Sequence, residues 1–297
     1  MQSLFASAFL KLLTGYDIRF QHLASTWIML MIIISVSCFI VSEVTRNYSQ
    51  VDKLWSLIPV AYSWIIVATV QSPRLVLMAS LVTIWGLRLS YNFYRKGGYN
   101  IIPWKGEEDY RWRLMREQPL LRGRFRFGLF NLLFISIWQN IVIFLFSSPL
   151  LLAALYPEKP LTITDLAAGI LMLAFIITES IADDQLFKFH QEKKSARSDG
   201  NVYRKSLGMG FLSEGLWKYA RHPNFTSEQA IWICFYFFGV AASGKWINIT
   251  IAGLLLLVIL FAGSSRLTES ISVKKYSEYS EYQKEVPRFI PRIFMHR

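Results

Sequence analysis

The chain has 297 residues, of which 53% are hydrophobic, and its formal net charge is +12. This apolar content is unusual for a soluble domain and predicts a polytopic membrane protein, in which the bases report on loop topology and nucleic-acid binding is not expected. Cys38 and Cys234 lie inside apolar runs, and no metal-ligand pattern or glycine-rich dinucleotide motif occurs. A disulfide framework, a metal site and a Rossmann-type nucleotide site are therefore not expected.

Apolar segments long enough to cross a bilayer recur along the chain. About 20 mostly apolar residues span a membrane as a helix. Seven segments qualify: 25–44, 55–72, 75–94, 129–150, 162–187, 226–243 and 246–264. The sequence thus predicts an all-α bundle of about seven transmembrane helices with short cytoplasmic helices. It predicts one integral membrane domain over 1–297, with the bundle at 25–264 and a cytoplasmic tail at 265–297 that closes the ligand site.

Lysine and arginine are unevenly distributed between the predicted loops. Segments 95–128, 188–222 and 265–297 are rich in both, whereas loops 71–74, 151–161 and 244–245 hold one base each. Basic loops remain on the cytoplasmic side of a membrane. The amino terminus is therefore predicted to be outside or lumenal and the carboxyl terminus cytoplasmic. These bases either serve topology alone or also form a cytoplasmic pocket for phosphates.

Charged side chains within predicted spans are rare and usually functional. They occur at five places: Asp52; Arg88; Glu179, Asp183 and Asp184; Glu228; and Arg266 with Glu269. On a helix Glu179 and Asp183 share one face, and the side chains of Asn224 and Glu228, four residues apart, could hold one ligand together. Solvated helix ends and pairs within one helix, such as Asp184 with Lys188, are the alternative.

The densest polar stretch beside an apolar run is 216–228, LWKYARHPNFTSE, which opens directly onto the sixth predicted span. A second pattern lies in the tail, where Tyr276, Tyr279 and Tyr282 recur every three residues and roughly share one helical face. These tyrosines either form an interfacial aromatic belt or direct their hydroxyls at a ligand held between tail and bundle.

These residues resemble the steroid 5α-reductase superfamily, and most closely its bacterial-type DUF1295 branch. The resemblance lies in YARHPNF at 219–225, in Glu228, and in the tyrosine-bearing tail that ends FIP at 289–291. WGLRL at 85–89 and ADDQ at 182–185 also resemble that branch, so most of the chain from about Asp52 to Arg292 is covered.

The resemblance implies a membrane reductase that uses NADPH from the cytoplasmic side. By position, Asn224 and Glu228 match the Asn and Glu of the family's cofactor turn. The other residues assigned to cofactor binding are Arg88, Asp183, Gln185, Lys188, Tyr219, Arg221, His222, Tyr276, Tyr279 and Tyr282.

The resemblance also implies catalytic residues. Asp52 falls near the family's acidic residue that polarises the substrate carbonyl. The family's catalytic tyrosine falls near Trp85, which has no hydroxyl, so Tyr62 or Tyr91 is expected to supply one. Reduction of an enone needs hydride at the β-carbon and an acid or hydrogen bond at the carbonyl oxygen. A carboxyl group beside an apolar cavity can stay protonated and supply that hydrogen bond.

The leading hypothesis is therefore NADPH-dependent reduction of a lipophilic enone, sterol-like or polyprenoid-like, within a lipid bilayer. An S-adenosylmethionine-dependent methyltransferase of the isoprenylcysteine type is the alternative, because it also carries an Arg-His-Pro turn followed by a glutamate. A lipid-binding protein without enzymatic activity is the third hypothesis. The sequence does not identify the substrate, the membrane or the oligomeric state.

Overall fold

A computed structural model describes residues 18–100, 102, 105–199 and 205–291. Over these residues the regular secondary structure is helical and contains no strand. In chain order the helices are α1 Ile18–Thr45, α2 Gln50–Leu54, α3 Leu57–Thr69, α4 Pro73–Arg95, α5 Tyr110–Glu117, α6 Arg124–Ala153, α7 Ile163–Asp199, α8 Lys205–Met209, α9 Pro223–Ser243, α10 Ile251–Lys275 and α11 Tyr279–Glu285. A short 3₁₀ turn, Gly215–Lys218, precedes α9. The predicted all-α class is confirmed.

Within the described residues, five helices are long and apolar enough to cross a membrane: Gln21–Thr45 of α1, α4, α6, Ile163–Ser195 of α7, and α10. They indicate a multi-pass membrane protein. The predicted count of seven is not confirmed. The predicted span 55–72 forms α3, which has only 13 residues. The predicted span 226–243 forms most of α9, whose first two turns are polar (PNFTSEQ) and lower its hydropathy.

The chain divides into two compact units. Unit 1 comprises Met1–Gly169 and Phe235–Leu254, and unit 2 comprises Ile170–Cys234 and Leu255–Arg297. Each of the helices α7, α9 and α10 has one part in unit 1 and the other part in unit 2. The prediction of a single domain stays a prediction.

Unit 1 is a helical bundle in which α3 and α4 pack along each other, and α1 packs on α6. The close approach of α10 to α6 depends on Gly253, because a Cβ there would lie 2.1 Å from the backbone of Leu145. The ion pair of Arg74 with Asp165 is fully buried: Arg74 Nε donates to Asp165 Oδ1 at 2.8 Å, and Nη2 of Arg74 donates to the carbonyl of Pro160 at 2.7 Å. This pair links α4 to the start of α7.

Unit 2 carries the short elements that surround the 216–228 segment. Phe211 packs against Tyr279, Tyr282 and Val286, so that α11 lies on the loop after α8. A second apolar cluster joins Phe189 on α7 to Leu212 and Trp217. Both clusters position the 3₁₀ turn and the first turn of α9 for the polar contacts described below.

Candidate functional site

The chain after α11 docks on the turn that precedes α9. The backbone N–H of Arg221 donates to the carbonyl of Pro287 at 2.9 Å, and the backbone N–H of His222 donates to the carbonyl of Arg288 at 3.1 Å. The hydroxyl of Thr226 donates to the carbonyl of Phe289 at 2.9 Å. Helix α11 ends at Glu285, and Pro287, which lacks an N–H, cannot continue it, so the chain that offers these carbonyls is irregular.

The carboxylate of Glu269, on α10, organises this docking. Its Oε1 accepts from Arg221 Nε at 2.8 Å and lies 3.0 Å from His222 Nε2, and its Oε2 accepts from Arg288 Nη2 at 2.9 Å. Glu269 is only 2% exposed. We call Arg221, His222, Glu269 and Arg288 the tail clamp. The sequence marked Glu269 as a charge at the end of the last span but assigned it no role.

Arg221 and His222 are therefore held by contacts within the chain. Besides Glu269, the Arg221 guanidinium donates to the carbonyls of Gln283, at 2.8 Å, and Val286. The family resemblance assigned both Arg221 and His222 to cofactor binding. In the structure their side chains join α10 and the tail to the turn, which gives them a clear structural role.

The tail tyrosines take different environments. The hydroxyl of Tyr282 donates to the carbonyl of Trp217, and burial raises the pKa of Tyr279 to about 12. The hydroxyl of Tyr276 accepts from Lys193 Nζ at 3.0 Å. Burial alone would raise the pKa of Tyr276, but the neighbouring ammonium group lowers it below the ordinary tyrosine value. Tyr279 and Tyr282 thus pack against Phe211, whereas the hydroxyl of Tyr276 lies beside the Lys193 ammonium group.

A second polar group lies at the start of α9 and is formed by the other predicted residues. The side-chain amide of Asn224 donates to Asp183 Oδ1, on α7, at 3.2 Å. One turn after Asn224, Glu228 Oε1 accepts from Trp232 Nε1 at 3.0 Å. Asp183 and Glu228 are each 4% exposed. The structure therefore joins the predicted residues of α7 to those of the 216–228 segment.

Gln185 fixes the 3₁₀ turn to α7, because its Oε1 accepts from the backbone N–H of Leu216 at 3.0 Å. Gly215 permits this approach: its φ is +60°, and a Cβ there would lie 2.6 Å from the Gln185 amide. Lys188 pairs with Asp184 at 2.8 Å on the exposed face of α7. Tyr219 is exposed, with Lys218 Nζ 4.7 Å from its ring centroid.

Asp52 lies in unit 1, on α2, and is enclosed by α5. Trp112 Nε1 donates to Asp52 Oδ2 at 2.7 Å, and Arg111 Nη2 lies 3.8 Å from Oδ1. Burial raises the pKa of the Asp52 carboxyl group. Arg111 and the hydrogen bond from Trp112 lower this pKa and offset part of the rise. The next residue, Lys53, donates to the carbonyl of Lys105 at 3.0 Å, and burial lowers the pKa of its ammonium group.

The other predicted residues of unit 1 are dispersed. Tyr62 is buried on α3 and stacks on Trp27 with 4.2 Å between ring centroids. Tyr91 is 63% exposed on α4, with the guanidinium of Arg95 at 5.7 Å from its ring. Arg88 lies one turn before Tyr91 on the same helix and is half-buried. Of the two predicted hydroxyls, that of Tyr62 lies in the bundle interior.

Residues 38–286 match the family described as "Protein of unknown function (DUF1295)". The chain belongs to this family. A related protein of Schizosaccharomyces pombe, described as uncharacterized, is 40% identical over 265 residues, which make up 85% of this chain and 75% of the relative. No solved structure is significantly similar to the chain. The matched segment contains Asp52, Asp183 and Asn224, whereas Trp27 precedes it.

Proposed function

We propose that this protein is a membrane-embedded, NADPH-dependent reductase of a lipophilic enone, as in the steroid 5α-reductase superfamily. The contact between Asp183 and Asn224, beside the buried Glu228, is the observation that carries the proposal. Buried carboxylates at the end of an apolar helix are unfavourable unless polar groups meet them, and such residues in membrane helices usually serve a ligand.

Two further carboxylates lie one helical turn from this contact. Glu179 precedes Asp183 by one turn on α7, and Glu228 follows Asn224 by one turn on α9. Both are 4% exposed.

The chemistry of these side chains fits a nicotinamide nucleotide. Carboxylate oxygens accept hydrogen bonds, and an Asn amide both donates and accepts, which suits ribose hydroxyls and a carboxamide. Unit 2 also presents exposed ammonium groups for phosphates, at Lys188 on α7 and at Lys218 in the 3₁₀ turn. We propose that Asp183, Asn224 and Glu228 hold the nucleoside end and that these lysines hold the phosphates.

When bound, NADPH supplies a hydride for the β-carbon of the enone. The chain's own part is to polarise the carbonyl oxygen, where negative charge develops. Asp52 is our candidate for this role, because burial raises the pKa of its carboxyl group and so favours the protonated form, which can donate a hydrogen bond. Trp112 holds Oδ2 of Asp52, so the orientation of the carboxyl group is set before any substrate binds.

Ligand binding to purified protein in detergent tests the proposal. NADPH should raise the thermal unfolding temperature, and S-adenosylmethionine should not, because only a ligand that binds the folded state stabilises it. Asn224→Ala should remove most of the NADPH-induced shift. A shift with S-adenosylmethionine alone would support the methyltransferase instead. No shift with either compound would overturn the reductase proposal and leave a lipid-binding role.

A matched lysine pair separates a phosphate contact from general charge. Lys188 pairs with Asp184 on α7, and Lys284 pairs with Glu281 on α11, and both ion pairs are exposed at 2.8 Å. Lys188→Ala should weaken NADPH binding about 10- to 100-fold, in the range of one lost charge-assisted hydrogen bond. Lys284→Ala should bind NADPH as the wild type does. Equal weakening in both variants would mean that only the net positive charge matters.

A further inference from the structure

Three buried polar side chains of unit 1 have no hydrogen-bond partner within the described part of the chain. Trp27 on α1 is fully buried, and its indole Nε1 has no acceptor. The hydroxyl of Ser147 on α6 is likewise buried and unpartnered. The third is Ser72, at the start of α4. An unsatisfied buried donor destabilises a folded chain, so each such group calls for a cause.

Trp27 and Ser147 are both neighbours of Phe144 on α6. The ring of Trp27 stacks on Tyr62 of α3 and meets the ring of Phe144 edge-on at 6.2 Å. Ser147 follows Phe144 by three residues and therefore lies on the same face of α6. Helices α1 and α3 each pack on α6, and the stack of Trp27 on Tyr62 joins α1 to α3. We call Trp27, Tyr62 and Ser147 the Trp27 site.

Ser147 departs from the behaviour of other buried serines in these helices. Ser35 on α1 donates to the carbonyl of Met31 at 2.7 Å, and Ser63 on α3 donates to that of Pro59 at 2.6 Å, four residues earlier in each case. This internal bond is how a helical serine ordinarily satisfies its hydroxyl in an apolar environment. The hydroxyl of Ser147 makes no such bond and remains available to another group.

The surroundings define what this group can be. No lysine, arginine, aspartate or glutamate occurs in 23–42, 57–69 or 139–153, the helical segments around the site. A charged headgroup would have no counter-charge among them and would be strongly disfavoured. The indole N–H can only donate, whereas the two hydroxyls can donate or accept. The matching ligand has an apolar body and one uncharged oxygen.

We propose that the Trp27 site binds the oxygen of a neutral lipid, a lipid alcohol or ketone, through the Trp27 N–H and the Ser147 hydroxyl. Tyr62 stacks on the indole and fixes its plane. This binding does not depend on the proposed reduction, since it involves neither a nucleotide nor Asp52. Trp27 precedes the segment that matches the family, whereas Tyr62 and Ser147 lie within it.

Two pairs of lipids test the site in detergent-purified protein: 5α-cholestan-3β-ol with 5α-cholestane, and 1-hexadecanol with hexadecane. Within each pair only the oxygen differs. We expect one of the alcohols to bind at least about 10-fold more tightly than its hydrocarbon, as expected for one or two hydrogen bonds made in an apolar site. Equal binding within both pairs would overturn the proposal.

The variant Trp27→Phe removes the N–H and keeps a ring for stacking on Tyr62. It should reduce the preference for the alcohol about 5- to 10-fold and leave hydrocarbon binding unchanged. Ser147→Ala should also reduce the preference. Trp64→Phe on α3, whose Nε1 donates to Thr83, should have no effect and serves as the control.

A purely structural Trp27 would give a different result, because its replacement would weaken binding of alcohol and hydrocarbon alike. The same samples should keep their NADPH-induced shift in unfolding temperature. A loss of alcohol preference with NADPH binding intact would separate this site from the proposed nucleotide site. An unchanged alcohol preference in Trp27→Phe would exclude the indole as a lipid donor.

Discussion

The tail clamp of unit 2 and the Trp27 site of unit 1 treat buried polar groups in opposite ways. In the clamp, the carboxylate of Glu269 meets Arg221, Arg288 and His222 within 3.0 Å. At the Trp27 site an indole N–H and a serine hydroxyl are buried without a partner in the described chain. A satisfied network holds a fold together, whereas each unsatisfied buried group in a native protein calls for a cause, which we propose is a ligand at the Trp27 site. The difference suggests which of the two regions is built for structure and which for binding.

The largest expected effect comes from breaking the clamp. Glu269→Ala leaves Arg221 buried without its carboxylate, and removal of one partner of a buried pair destabilises by about 3–5 kcal/mol. Thermal or denaturant unfolding of the purified protein measures this loss. Glu281→Ala on α11 removes an acid whose ion pair is exposed and should leave the unfolding temperature unchanged. If both variants behaved alike, Glu269 would not be the residue that holds the tail.

A smaller loss of stability is expected from a substitution in the tail helix α11. The Tyr282 hydroxyl donates to the carbonyl of Trp217, so Tyr282→Phe removes one hydrogen bond while keeping the ring packed on Phe211. Such a bond contributes about 0.5–1.5 kcal/mol. The exposed Tyr219, when changed to Phe, is the control for loss of a tyrosine hydroxyl from the same unit. Equal unfolding free energies for the two variants would contradict the assignment.

The pH dependence of stability extends the comparison to Asp52, a largely buried carboxyl group that has fewer cationic partners than Glu269. A carboxyl group with a raised folded pKa binds its proton more tightly in the folded state. Its stabilising contribution is complete below the ordinary pKa of 3.8 and is lost as pH rises through the folded value. The wild type should therefore lose stability from about pH 4 upward more steeply than Asp52→Asn, as unfolding temperatures across that range will measure. Parallel curves would mean that the folded pKa of Asp52 is not raised.

Much of the architecture follows from local pattern. Apolar runs and basic loops predict a helical membrane protein, since both depend on composition within one segment. The same locality explains the grouping of Asn224 with Glu228, which lie one helical turn apart. The contact between Asn224 and Asp183 joins residues 41 positions apart, and the family resemblance, rather than helical periodicity, brought them together.

The local sequence pattern did not predict two features, the tail clamp and the Trp27 site. The tail clamp forms because Glu269 meets Arg221 from 48 positions away, and no spacing rule connects α10 with the turn before α9. Trp27 is one of 10 tryptophans in an aromatic-rich chain, and the sequence gives it no distinction. Its unpartnered N–H is a property of three packed helices. Both residues become informative only when the partners of buried polar atoms are known.

The smallest single effect is expected at Trp27, and the same substitution at Trp232 provides the comparison. Trp27 and Trp232 are both buried, but Nε1 of Trp232 donates to Glu228 at 3.0 Å, whereas that of Trp27 has no acceptor in the described chain. Each Trp→Phe change removes a similar ring volume. Trp232→Phe also removes a hydrogen bond to a carboxylate, which contributes about 1.5–3 kcal/mol.

Trp27→Phe instead removes an unsatisfied donor, and this relief offsets the smaller ring. Without added lipid its unfolding free energy should lie within about 1 kcal/mol of the wild type. Denaturant unfolding of the two variants, prepared in the same detergent, gives the comparison directly. A loss at Trp27 as large as that at Trp232 would show that the Trp27 N–H is satisfied in the native protein. The contrast between the two regions would then rest on packing alone. A near-neutral Trp27→Phe that also loses its alcohol preference would show that Trp27 is retained for binding, at no gain in stability.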